Sequence, residues 1–217
     1  MSIADPVRRL IQTIHALSPY AWADTLLRRH ERNATTAAEA HRRRQQRLTL
    51  SERYIVYWLF AAIVLFLLAP WLPLWLPAWL DDILPLLLLL RILGLLNKEL
   101  GVILFGICKI TEGSQVSASG RVIVLALINY LTALFLFATL YMHCGHFMLM
   151  PTWLSGDPLS AALLHASHVH FSLSGLLEPA DVATAWLGIA HLGFCFLFGT
   201  IVISLFVSLL NIRPQQA

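Results

Sequence analysis

Six of the nine histidines, His143, His146, His165, His168, His170 and His191, fall within residues 143–191. Imidazole titrates near neutral pH and is the commonest nitrogen ligand of transition metals. In the run His165-Ala166-Ser167-His168-Val169-His170, His165 and His168 stand three residues apart. On a helix that spacing puts both rings on one face, where they could hold a single ion. His143 and His146 repeat the spacing, with Cys144 between them. These four, His143, His146, His165 and His168, form the candidate metal set, with Asp157 or Glu178 available to orient the rings. The chemistry would be transition-metal transport or, with a His-ligated haem, membrane redox work. Apart from such a metal the sequence calls for no cofactor. Cys108 and Cys195 lie in apolar stretches and read as small buried hydrophobes. The three cysteines show no CxxC spacing and no disulfide framework.

A second constellation follows the histidine run. Ser172, Leu173, Ser174 and Gly175 form a small-residue elbow, with carboxylates at Glu178 and Asp181. The apolar run before it, 159–169, is too short to cross a bilayer, whereas 182–210 is long enough. Irregular backbone at membrane depth is tolerated only where protein buries it or a watery cavity borders it. The pattern therefore predicts a re-entrant loop beside a pore or enclosed site. Ser172 and Ser174 would line a constriction and Gly175 would permit its backbone shape. Leu173 could supply a hydrophobic gate. Glu178 would sit at the outer mouth, and Asp181, His168 and His170 would border the entrance.

Residues 120–211 resemble the potassium-channel-like superfamily of pore-loop cation channels. The resemblance lies in the short helix at 158–168, the Ser172-Leu173-Ser174-Gly175 elbow, the Glu178-Pro179 pair, and a last helix bearing Gly188, Gly193 and Gly199. It implies permeant cations, carbonyl oxygens facing the ion and a homo-oligomer, most naturally a tetramer. The family's filter reads Thr-Val-Gly-Tyr-Gly-Asp, and this chain reads Ser-Leu-Ser-Gly-Leu-Leu-Glu. The aromatic residue and the second glycine are missing, so the resemblance does not extend to potassium selectivity. Two other readings stand beside the channel: the metal or haem protein described above, and a non-conducting scaffold on a channel-like fold.

The elements that must position these residues follow from composition. The chain has 217 residues, 58% hydrophobic and 12% charged, which is the balance of a polytopic membrane protein. Spans are predicted at 54–70, 83–108, 122–141 and 182–210, and 83–108 reads equally as a short span followed by an interfacial helix. The expected fold is all-α, with four transmembrane helices and a re-entrant pore helix and loop between the last two. Residues 1–50 form a basic arm with amphipathic helices, 51–110 the first two spans, and 111–217 the pore-like module.

Ten of the fifteen Lys and Arg precede Tyr54. The outer segments, 70–82 and 143–181, contain none. Basic flanks stay on the cytoplasmic side, so both termini are expected there, in an inner (plasma) membrane. The arm's arginines suit anionic lipid headgroups rather than nucleic acid. No GxSxG, HExxH or phosphate-binding loop occurs, and no enzymatic activity is expected.

Overall fold

A computed structural model of the chain describes residues 4–16, 22, 25–27, 29–30, 33, 36–105, 115–148 and 150–210. Cys108 and residues 109–114, which follow the second predicted span, lie outside the described residues, as does the C-terminal tail from 211.

The described chain is helical, with one isolated bridge between Phe147 and Pro179. Helix α1 spans Ala4–Ala16. Helix α2, Ala37–Leu68, starts where the Thr36 hydroxyl accepts the Glu39 N–H at 3.2 Å. That bond satisfies one of the donors a helix start leaves unpaired. No Gly or Pro interrupts the following 32 residues, so the polar arm and the first span become one helix. Prolines then break it: Pro70 lies in a tight turn, Ala69–Trp71, and Pro73 in the single-turn helix α3, Leu72–Trp75. After Pro77 the chain turns back as α4, Ala78–Phe105.

Helix α4 runs unbroken through Pro85, as one helix over the described part of 83–108. It carries Asp81, Asp82, Arg91, Lys98 and Glu99. Among the described residues, three segments are long and apolar enough to cross a membrane: Glu52–Trp75, Ile123–Cys144 and Val182–Ser204. Helix α4 is not among them, so among the described residues length and apolarity pick out three candidate crossings of the four expected.

Helix α5, Gln115–Cys144, is the centre of the bundle. Of its apolar window 61% is buried, against 28% for each of the other two spans. Helices α2, α4, α6 and α7 all pack on it. Polar groups cross these contacts in pairs. The Asn129 amide donates to Glu99 Oε1 at 2.6 Å, with both side chains buried. The Arg91 guanidinium lies 4.2 Å from the Trp58 ring centroid, a cation–π contact between α4 and α2. The amphipathic arm docks on its own chain, since Ile11 of α1 is buried and its carbonyl accepts from the Asn97 amide of α4 at 3.1 Å.

Helix α6, Pro158–Ser172, has 15 residues and is about 22 Å long, short of a bilayer core of about 30 Å. Asp157 caps it by accepting the Ser160 N–H at 3.0 Å, and Pro158 occupies the first helical position, where a missing N–H costs nothing. The helix ends at Leu173, whose N–H bonds the Val169 carbonyl at 3.1 Å. Helix α7, Val182–Leu210, begins at Asp181, whose carboxylate accepts the Thr184 N–H at 2.7 Å.

Candidate functional site

The elbow between α6 and α7 is held by histidines. The His165 ring, buried in α6, accepts the Leu177 N–H on Nδ1 at 3.0 Å. A Cβ on Gly175 would meet that ring at 3.3 Å, so glycine here gives the histidine room. His168 Nδ1 lies 2.9 Å from the Ser174 carbonyl, which can only accept, and within 3.1–3.2 Å of the Ser172 and Ser174 hydroxyls. Among the described non-glycine residues, only Leu173 has a left-handed backbone, with φ 54°. The conformational demand expected at Gly175 thus falls on Leu173.

Ser172, Leu173, Ser174, Gly175 and Glu178 are all exposed, and Leu177 is buried. The outer loop clasps this elbow. Met148 N–H donates to the Glu178 carbonyl at 2.9 Å, and Ala180 N–H to the His146 carbonyl at 2.8 Å. His146 Nδ1 lies 2.9 Å from the Asp181 carboxylate. The bond from the Thr184 N–H holds the Asp181 carboxyl below its ordinary range, with a smaller contribution from His146. Asp157 is likewise held low, first by the Ser160 hydroxyl and then by its N–H.

The four histidines of the candidate metal set are each placed with a partner of their own. His143 Nε2 lies 3.5 Å from Asp81, His146 meets Asp181, and His165 and His168 brace the elbow. Among the described residues the group whose ligand atoms converge is another: His170 from α6 with His191 and Cys195 from α7. All three are buried, with exposures of 1%, 0% and 3%. His170 Nδ1 lies 2.9 Å from His191 Nε2 and 3.3 Å from Cys195 Sγ.

Aromatic rings fix both imidazoles. Tyr130 packs on His170 and Phe137 stacks on His191, each with centroids 3.8 Å apart. The backbone of α5 completes the support. His170 Nε2 bonds the Tyr130 carbonyl at 3.0 Å, while the Tyr130 hydroxyl donates to the His170 carbonyl at 2.5 Å. The Tyr141 hydroxyl stands 3.3 Å from His191 Nδ1.

No protein-family model, curated protein or solved structure matches the chain.

One signal for the buried group was present in the sequence. His191 and Cys195 stand four apart, on one face of a long helix. Nothing in the spacing pairs them with His170, because the 21-residue separation includes the elbow that folds α6 against α7.

Proposed function

We propose that this chain is a pore-loop cation channel of the inner membrane, working as a homo-oligomer, most naturally a tetramer. The observation that carries this reading is the plan of the last three helices. Between two helices long enough to cross a membrane lies α6, too short to cross, followed by an elbow whose Ser172, Leu173, Ser174 and Glu178 are exposed. In a symmetric ring of copies these exposed groups would face one another around an axis. Helix α4 would be a fourth crossing, with Arg91 against α2 and Asp81 and Glu99 against α5, and both termini would be cytoplasmic.

In this reading the elbow is the constriction. Serine hydroxyls and elbow carbonyls offer oxygen ligands, and a ring of Glu178 and Asp181 carboxylates raises the local cation concentration at the mouth. Leu173, 52% exposed, is the apolar gate. A Cβ at Gly188, Gly193 or Gly199 would meet nothing within 4 Å, so packing inside one chain does not require these glycines. They leave α7 free for close approach to a neighbouring copy.

The test is ion flux from liposomes holding the purified protein, with potassium, sodium and chloride gradients run separately. Cation flux is expected, falling sharply in Glu178→Gln. Absence of flux for every ion would overturn the channel and favour a scaffold.

A further inference from the structure

We propose that His170, His191 and Cys195, meeting from α6 and α7 inside the helix bundle, bind a soft monovalent transition-metal ion, copper(I). The site is separate from the elbow, and this inference does not depend on conduction.

The bonding pattern prepares the ligands. The Tyr130 carbonyl can only accept, so the proton of neutral His170 sits on Nε2 and Nδ1 presents a lone pair. That lone pair faces both His191 Nε2 and Cys195 Sγ, so two donors converge on one acceptor. A ring nitrogen held by a carbonyl while its other nitrogen faces inward is the arrangement by which metal-ligating histidines are oriented. The Tyr141 hydroxyl, 3.3 Å from His191 Nδ1, is placed to accept a proton there when Nε2 turns to a metal. Metal bonds of about 2.0–2.3 Å in a trigonal plane separate ligand atoms by about 3.5–3.8 Å. The observed 2.9 and 3.3 Å thus require the side chains to part by only about half an ångström.

Charge selects the ion. Thiolate favours soft metals, copper(I) among them. One thiolate neutralises one positive charge, so a copper(I) site is neutral. A divalent ion would leave a net charge beside Phe137 and Phe194, and among the described residues the converging group contains no carboxylate. On binding, His170 Nδ1, His191 Nε2 and Cys195 Sγ each form a bond to the ion. The thiol S–H breaks and its proton leaves to solvent. The His191 proton, shared from Nε2 with His170 before binding, moves to Nδ1, where the Tyr141 oxygen accepts it.

The experiment expresses the full chain with copper and zinc supplied equally, purifies it and measures both metals. X-ray absorption then reads the ligand atoms and oxidation state. Expected is about one copper per chain, as copper(I) with two nitrogens and one sulfur. Cys195→Ser and His191→Gln should lower the bound copper by on the order of 10-fold or more, and Cys144→Ser should leave it unchanged. Far-UV circular dichroism selects the variants that retain their helices. Should Cys195→Ser fail to fold, loss of copper in His191→Gln and retention in Cys144→Ser decide the matter. Stoichiometric zinc in place of copper would overturn the assignment. So would copper lost in Cys144→Ser but kept in Cys195→Ser, or neither metal retained.

Discussion

Leu173 carries the local cost of the elbow. A left-handed backbone brings Cβ against the following carbonyl and costs an ordinary residue roughly 1–2 kcal/mol. Glycine adopts the same conformation freely, and the Leu173 side chain is 52% exposed, so little packing is lost with it. Leu173→Gly is therefore expected to stabilise the protein by about 1 kcal/mol, read as a higher Tm in detergent. An unchanged or lower Tm would show that the side chain contributes more than its backbone costs. At this scale the sequence located the elbow and its histidines but not their contacts. The small-residue elbow was visible, but which residue takes the left-handed turn depends on where α6 stops. His165 and His168 were legible as a helical pair, yet each bonds a different part of the elbow. Cys195 read as an apolar filler because its histidine partner on α6 is distant in sequence.

Helices were more legible than contacts. The apolar run at 182–210 became α7 over the same residues, and the run at 159–169 became α6 with a turn added at its end. Helix α2 begins long before the apolar residues do, because helices end at breakers and caps rather than where polarity changes. The ends of α6 and α7 give a pH dependence. The Asp157 and Asp181 carboxyls lie below their ordinary value of 3.8 in the folded chain, so the unfolded chain takes up these protons first on acidification. Their stabilising effect is complete above 3.8 and is lost as pH falls through the lower folded values. Tm is expected to be insensitive to these groups above about pH 5 and to fall in acid. The acid-dependent fall should shrink in the Asp157→Asn, Asp181→Asn double variant. An identical pH profile for that variant would remove the two caps as its cause.

The whole bundle is arranged around α5, and its faces differ in kind. Phe137 is 1% exposed, stacked on His191 and packed against Phe194. Phe196, on the outward side of α7, is 66% exposed. Phe137→Ala is expected to cost about 3–5 kcal/mol through lost burial and the cavity left behind. Phe196→Ala should cost the isolated chain less than about 1 kcal/mol. Denaturation in detergent under non-associating conditions separates the two, and equal losses would contradict α5 as the centre. The approximate limits of three of the four predicted spans followed from the sequence, whereas the central position of one of them did not. Periodicity cannot rank helices that are apolar on every side.

The backbone bridge joining Phe147 to Pro179 makes the intervening chain an excursion that leaves and returns at one point. The chain between, α6 included, leaves and returns at that neck and packs back on α5, while α5 and α7 are joined directly there. In evolutionary terms that makes the segment a cassette. Residues added at the exposed stretch 155–157 lengthen the excursion without lengthening the link between the two spans. New elbows can therefore be tried on this bundle while the helices that carry them stay in register.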